Sequence, residues 1–128
     1  MRRIMSYLTY KLIHLLGILA LVSSLGGMAG HAASGYTREE NKSYKALLLL
    51  HGFGALAALT GGFGLLARLN VDSDGLFPGW IWAKLCLWLV LGALVALPYR
   101  KQSLARPLLF LIPILAFLGG VLANLKPF

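Results

Sequence analysis

Among the side chains able to bind a metal ion or an anion, His14, His51 and Lys84 lie well inside apolar stretches of this sequence. A lysine charge at the centre of a membrane helix costs roughly 2.5–3.5 kcal/mol, and less near a helix end, so Lys84 needs a partner or a route to the surface. A neutral imidazole is the commonest metal ligand among side chains. The apolar stretches contain no carboxylate, and Cys86 is the single cysteine. The sequence therefore predicts neither a hydrolase site nor a cysteine metal cluster nor a carboxylate proton relay.

Lys84 belongs to the segment Gly79-Trp-Ile-Trp-Ala-Lys-Leu85, which opens a long apolar run. Trp80, Lys84 and Trp88 recur every four residues, so a helix places them on one face. Two interpretations fit this face. In the first, Lys84 extends its ammonium group to the headgroup layer and Trp80 anchors the interface. In the second, the three side chains line a pocket.

The composition of the chain is that of a membrane protein. Its 128 residues are 59% hydrophobic and 12% charged, with a mean hydropathy of +0.77, whereas a soluble domain carries about 25% charged residues. The net charge of +8 comes from Lys and Arg at the ends of apolar runs. Because such residues meet lipid headgroups and set topology, the charge does not predict a nucleic-acid partner. We expect one transmembrane domain over residues 1–128, in contact with the lipid bilayer.

Four apolar runs each have close to the roughly 20 residues that a helix needs to cross a bilayer. They cover residues 7–29, 45–67, 78–98 and 104–125. Short polar segments separate them, so we predict an all-α, integral membrane four-helix bundle in up-down order. The first run, between Met-Arg-Arg and Ala29-Gly-His-Ala-Ala33, also resembles a secretory signal, but its length favours a helix that is retained.

The distribution of basic residues predicts an orientation. An up-down bundle places both chain ends and the turn at residues 70–78 on one side, with loops 30–44 and 99–105 on the other. Lys11 and Lys84 lie within the spans, and the remaining Lys and Arg number four on the first side and six on the second. The positive-inside rule therefore favours cytoplasmic loops 30–44 and 99–105 in a bacterial inner membrane.

Pairing antiparallel helices about their loop centres, at about 1.5 Å per residue, predicts which polar residues share a depth. His14 is level with residue 62 of the second helix. Lys84 is level with residue 64 of the second helix and residue 120 of the fourth. His14 and Lys84 are therefore predicted to lie in one slab of the bundle.

The other two histidines are predicted to lie away from this slab. His51 is level with residue 25, about 15 Å from His14 along the helix axis. We interpret His51 as a helix-packing residue, so a haem shared between His14 and His51 is not expected. His31 falls in the first polar segment and is interpreted as a loop or interface residue.

The residues predicted at the depth of His14 and Lys84 combine bases, aromatic rings and small residues. They are Lys11, His14, Gly61, Gly64, Arg68, Trp80, Lys84, Trp88 and Gly120. This lining suits a flat apolar ring with carboxylate tails, which Lys11 and Arg68 would meet. The alternative is that His14 is a packing residue and that the glycines let helix backbones approach closely.

Three segments, in this order, resemble the HemJ-type protoporphyrinogen oxidases, a family of small bacterial and plastid membrane proteins. They are Lys11-Leu-Ile-His14, Gly79-Trp-Ile-Trp-Ala-Lys-Leu85 and the terminal Lys126-Pro-Phe128. The resemblance implies a haem b cofactor and the oxidation of a porphyrin substrate, protoporphyrinogen IX, to protoporphyrin IX. It also implies that His14 is an axial iron ligand and that Lys84 is a second ligand or the charge partner of a propionate.

The chain departs from the family pattern after its first helix. The family has Pro-Arg-Leu followed by Tyr-His, where this sequence reads Gly27-Met-Ala-Gly-His-Ala-Ala-Ser-Gly-Tyr36. In the family, the start of helix two is rich in arginine, whereas this sequence has Asn41-Lys-Ser-Tyr-Lys45 there. The alternative function is a non-enzymatic membrane subunit. Small-residue seams such as Ser23/Gly27 and Gly26/Gly30 would then dock a larger membrane complex or a second copy of the chain.

Overall fold

The computed structural model describes residues 2–68 and 77–127, with side chains from residue 7 onward in the first helix. The helices of this part are α1 at Arg2–Ala33, α2 at Tyr44–Arg68, α3 at Gly79–Ala93, α4 at Leu97–Arg100 and α5 at Ala105–Leu125. Short 3-10 turns lie at Arg38–Glu40, Leu94–Ala96 and Gln102–Leu104. Most of the turn predicted at residues 70–78 lies outside the described residues.

Four stretches of helix are long and apolar enough to cross a membrane. They are Tyr7–Ala33, Tyr44–Arg68, Gly79–Arg100 and Gln102–Leu125. Each exceeds the roughly 20 residues that a bilayer requires. The prediction of an all-α, multi-pass four-helix membrane bundle is confirmed. The first helix continues to Ala33, past the predicted end at residue 29, because its added turn buries Ala32 against the bundle.

The third span is interrupted shortly before its end. α3 ends at Ala93, a 3-10 turn covers Leu94–Ala96, and α4 begins at Leu97. Pro98 has no N–H to donate to the carbonyl of Leu94, and its ring conflicts with that carbonyl. The backbone therefore tightens to the shorter hydrogen-bonding pattern of a 3-10 turn over the residues before Pro98.

The outward faces of the helices are apolar and suit contact with lipid. Large exposed apolar side chains occur on α1, α2, α3 and α5. They include Leu12, Leu19, Leu49, Leu56, Leu89, Phe110 and Phe117. On a soluble protein such a surface would be an aggregation hazard. In a bilayer it matches the acyl chains, so the exposed faces agree with the assignment of the four spans.

α1 and α2 lie backbone to backbone because glycines remove the side chains between them. A Cβ added to Gly54 would lie 2.7 Å from a backbone nitrogen of α1, and one added to Gly61 would lie 2.5 Å from the backbone nitrogen of His14. A Cβ on Gly26 would meet nothing within 4 Å. The seam therefore lies nearer the N-terminus of α1 than the Ser23/Gly27 and Gly26/Gly30 spacing predicted.

A buried apolar cluster joins α1, α5 and the C-terminal part of the third span. Its members are Leu25, Ala29, Leu91, Leu94, Leu108 and Ile112. The antiparallel order brings the C-terminal part of α1, the C-terminal part of α3 and the N-terminal part of α5 to the same end of the bundle. This packed end holds the helices together, and the opposite end encloses a cavity.

Candidate ligand-binding cavity

A cavity of about 620 Å³ lies between α1, α2, α3 and α5, at the N-terminal half of α1. Most of its lining is apolar, and the polar or aromatic side chains form a short set. They are Tyr7, Lys11, His14, Phe63, Trp80, Lys84, Trp88, Asn124 and Lys126. Small-molecule sites in proteins usually measure about 300–1,000 Å³ and combine apolar walls with a few polar groups. The cavity has the size and chemistry of such a site.

The structure brings most of the predicted site residues to this cavity. Of the nine, six line it: Lys11, His14, Trp80, Lys84, Trp88 and Gly120. They come from α1, α3 and α5, so no continuous segment of the chain contains the site. His14 and Lys84 are half-buried, whereas Lys11 and Lys126 are exposed. The exposed amines therefore mark the mouth of the cavity, and the half-buried pair lies deeper.

The other three predicted residues lie elsewhere. Gly61 and Gly64 face α1: a Cβ on Gly61 would meet the backbone of His14, and one on Gly64 would overlap the ring of Tyr10. Arg68 is exposed at the end of α2 and is not part of the cavity lining. α2 lines the cavity instead with a neighbouring face, which includes Ala58 and Gly62.

The imidazole of His14 is held by a hydrogen bond across the α1–α2 seam. Nδ1 lies 2.7 Å from the carbonyl oxygen of Ala58. Because a carbonyl can only accept, Nδ1 carries the proton and donates it. Nε2 of the neutral ring is then left with a lone pair. Histidine ligands of metals usually have this arrangement, in which a backbone carbonyl fixes the tautomer and the ring orientation.

The ring of His14 lies beside Gly62 of α2. A Cβ on Gly62 would lie 3.5 Å from both Cε1 and Nδ1 of His14, in ordinary contact. His14 is therefore level with Gly61 and Gly62, and the prediction that it pairs with residue 62 is confirmed.

The register of α3 against α2 differs from the prediction. Nε1 of Trp88 donates to the carbonyl of Ala55 at 2.9 Å, and Nε2 of His51 donates to the carbonyl of Gly92 at 3.1 Å. The predicted register placed Trp88 level with residue 60, so α3 is displaced by about five residues, roughly 7 Å along the axis. Lys84 still lines the cavity, because the cavity extends over several turns.

His51 behaves as a packing residue in the described structure. Its side chain is buried and bridges α2 to α3 through Gly92. Its Nδ1 is a buried atom with no hydrogen-bond partner among the described residues. His51 is absent from the cavity lining, in agreement with its interpretation as a helix-packing histidine.

The cavity carries positive charge that the described chain does not neutralise. Lys11, Lys84 and Lys126 line it, and no acidic side chain of the described residues does. The hydrogen bonds and ion pairs found for residues 7–68 and 77–127 do not include Lys84. Opposite charges attract more strongly in a poorly hydrated site than in water. The lining therefore favours an anionic ligand.

Two residues at the mouth were missing from the sequence prediction. Lys126 lines the cavity, and its Nζ lies 5.7 Å from the ring centre of Trp80. Lys126 is one residue beyond the end of α5, so helical spacing does not place it on any face. Tyr7 also lines the cavity. Tyr7 lies four residues before Lys11, and this spacing was a usable signal for a shared helix face.

Comparison of the chain with protein-family models, with curated proteins and with solved structures found no match. Among the described residues, no group of three or more His, Cys, Asp or Glu side chains is placed to hold a bare metal ion. A porphyrin brings its own equatorial ligands, so a single histidine suffices for it. His14 fits this lesser requirement.

The other end of the bundle carries a separate polar network. The hydroxyl of Tyr99 is hydrogen-bonded to Nδ1 of His31 at 2.8 Å and accepts a hydrogen bond from Asn41 at 2.8 Å. The ring of Tyr36 stacks on that of His31 with centres 5.0 Å apart. This network joins the loop after α1 to α4. His31 thus lies at the loop end of the bundle, away from the cavity.

Glu40 stabilises the first loop in the same region. Its Oε1 accepts hydrogen bonds from the backbone N–H of Thr37 at 2.9 Å and from the Thr37 hydroxyl at 3.0 Å. The backbone hydrogen bond from Thr37 holds the pKa of Glu40 below its usual value. The loop between α1 and α2 therefore keeps a short, bonded conformation.

Proposed function

We propose that the protein binds a haem-type porphyrin within the membrane, with Nε2 of His14 as an axial iron ligand. The observation that carries the proposal is the hydrogen bond from Nδ1 of His14 to Ala58, on the wall of the cavity. This bond leaves Nε2 as the nitrogen with a lone pair.

The rest of the lining supports a flat, amphiphilic ligand. Trp80 and Trp88 offer aromatic surfaces from α3, and Gly119 and Gly120 leave room along α5. Lys84 acts either as a second ligand in its neutral form or as the cationic partner of a propionate. When bound, the iron porphyrin supplies the redox chemistry, and the protein contributes ligation, burial and orientation.

The proposed activity is the oxidation of protoporphyrinogen IX to protoporphyrin IX, as the HemJ-type resemblance implies, with the electrons passing to a separate acceptor such as a membrane quinone and the protons to water. The motifs around His14 and Lys84 support this activity because they meet on one cavity. The proposed location is a bacterial inner membrane, with loops 30–44 and 99–105 in the cytoplasm. This orientation would place the cavity towards the opposite leaflet, since Lys11 and Lys126 at its mouth belong to the other end of the bundle.

The test is the visible absorption spectrum of the detergent-purified protein, oxidised and then reduced with dithionite. We expect a Soret band, with sharp α and β bands on reduction. His14→Ala should lower the haem content per folded protein at least tenfold, because it removes the ligand, and added imidazole should partly restore the low-spin spectrum. His31→Ala is the matched control, since His31 lies outside the cavity.

Two results would overturn the proposal. One is a haem content that is unchanged in His14→Ala. The other is a wild-type spectrum that stays featureless after haem is added back. If the spectrum stays featureless, the protein is better explained as a non-enzymatic membrane subunit, and partner proteins should accompany it through purification in stoichiometric amounts.

A further inference from the structure

Lys126 has a backbone conformation that is unusual for a residue with a side chain. Its φ is 45° and its ψ is 57°, in the left-handed region, and its N–H donates to the carbonyl of Leu122 at 2.9 Å. Among the described residues it is the one non-glycine residue with a positive φ. Helices often end in this way, but usually with glycine, which adopts the conformation without strain. Strain of this kind points to a role for the side chain.

The left-handed turn after α5 brings the side chain of Lys126 back to the cavity. Its Nζ stands over the ring of Trp80 at 5.7 Å from the centre. Trp80 is buried, and both residues line the cavity. The face of an aromatic ring attracts a cation only modestly. Trp80 therefore holds the amine at the mouth without neutralising it.

The amine of Lys126 has no acidic partner in the described part of the chain. The ion pair found there joins Arg38 to Glu39, at the other end of the bundle. Lys11 and Lys126 are exposed at the mouth, whereas Lys84 is half-buried one helical turn beyond Trp80. One turn of α3 separates the two depths by about 5–6 Å. The three amines thus offer anion contacts at two depths of the same cavity.

We propose that Lys126 binds an anionic group, a carboxylate or a phosphate, at the outer end of the cavity ligand. The ligand draws the amine from the ring of Trp80 into an ion pair, and Lys11 assists from α1. The inference rests on the proposed function, in which the ligand is an iron porphyrin with two propionates. The same chemistry would accept the phosphate of an anionic lipid, so the experiment distinguishes these two sources.

The experiment uses the full chain in uncharged detergent, titrated with hemin and with hemin dimethyl ester. Both compounds contain the same iron porphyrin, but the propionates of the ester are methylated and carry no negative charge. We expect the wild type to bind hemin about tenfold more tightly than the ester, as one charge-assisted contact allows. Because Lys11 and Lys84 also line the cavity, Lys126→Gly should lower this preference at least threefold without abolishing it, and Lys126→Arg should keep it. Lys42→Gly, an exposed lysine of the first loop, is the control and should bind like the wild type.

Thermal unfolding separates binding from folding in the same variants. Glycine suits the left-handed conformation, so Lys126→Gly should unfold at the same temperature as the wild type or higher. A weaker affinity in a variant of equal or greater stability cannot come from misfolding. If Lys126→Gly keeps the full preference for hemin over its ester, the proposal for Lys126 is wrong. Loss of haem in His14→Ala would in that case still support the proposed function.

If the wild type binds neither hemin nor its ester, the ligand is not a porphyrin, and an anionic lipid remains as the source of the anionic group. Protein would then be exchanged into nanodiscs of phosphatidylglycerol or phosphatidylcholine, and the retained lipid would be counted by native mass spectrometry. Retention of phosphatidylglycerol by the wild type and its loss in Lys126→Gly would support the anion contact. Equal retention in both proteins would overturn it.

Discussion

At the end of the bundle beside the first loop, the hydroxyl of Tyr99 is hydrogen-bonded to His31 and accepts from Asn41, and an apolar cluster packs below them. At the other end, Lys84 and Lys126 line a cavity of about 620 Å³ and have no acidic partner in the described part of the chain. The same helices build both ends. The side chains of this network bond to one another, whereas the amines in the cavity lining face no acidic side chain of the described residues.

The histidines illustrate this difference residue by residue. His31 is hydrogen-bonded to the hydroxyl of Tyr99 within a network of protein groups. His51 is buried and bridges two helices. His14 has one nitrogen bonded to Ala58 and stands beside open volume. A protein-bound nitrogen on one side and a cavity on the other is the combination that a ligand-binding histidine needs. Residue type alone does not separate these roles.

The largest effect on stability is expected for the α1–α2 seam, which holds His14 in place. Gly61→Ala would place a Cβ 2.5 Å from the backbone nitrogen of His14, which cannot move independently of α1. Overpacking of this kind costs about 1–3 kcal/mol, and His14 should shift with the backbone, so that haem binding weakens as well. Thermal unfolding in detergent measures the loss.

Gly26→Ala is the control for Gly61→Ala, because its Cβ would meet nothing within 4 Å. We expect this variant to be as stable as the wild type or slightly more stable. Equal stability of the two alanine variants would show that the α1–α2 seam is not what positions His14. The contrast drawn between the two ends of the bundle would then be wrong for His14.

An intermediate effect is expected at the packed end. Tyr99→Phe removes the hydroxyl that bonds His31 and Asn41, and each of those groups loses that partner. The loss should be about 1–2 kcal/mol, as for other partly buried hydrogen bonds. Haem affinity should stay within about twofold of the wild type, because the network does not touch the cavity. Tyr36→Phe, which keeps its ring stacked on His31, is the control. A drop in haem affinity for Tyr99→Phe would mean that the two ends are coupled.

The smallest change in stability should come from Lys84→Met, and its sign is the informative part. Methionine keeps most of the length of the lysine side chain and removes a half-buried charge that has no partner in the described structure. The ligand-free protein should gain up to about 1 kcal/mol. Hemin affinity should fall about tenfold, since a ligand or a propionate partner is lost. Lys101→Met, at an exposed lysine of the packed end, should change neither quantity. A destabilised Lys84→Met would indicate that Lys84 already has a structural role.

Much of the fold was predictable because it depends on local properties. Apolar runs of about 20 residues cross a bilayer whatever their neighbours are, and short loops make consecutive helices antiparallel. The pairing of His14 with residues 61 and 62 agrees with a pivot at the centre of the loop after α1. The register of α3 was wrong by about five residues, because it was set from an assumed loop centre, whereas side-chain hydrogen bonds between α2 and α3 fix the observed register.

The sequence by itself determined that this is a four-helix membrane protein with His14 and Lys84 in apolar surroundings, since hydropathy and helical spacing are written along the chain. Only the tertiary structure decided that α2 turns Gly61 and Gly64 towards α1, that a carbonyl of Ala58 sets the tautomer of His14, and that Lys126 returns to Trp80. Each of these depends on how a helix is rotated about its axis or on how the chain turns beyond its last residue. Glycines on several faces of one helix leave that rotation undetermined until the neighbouring helices are in place.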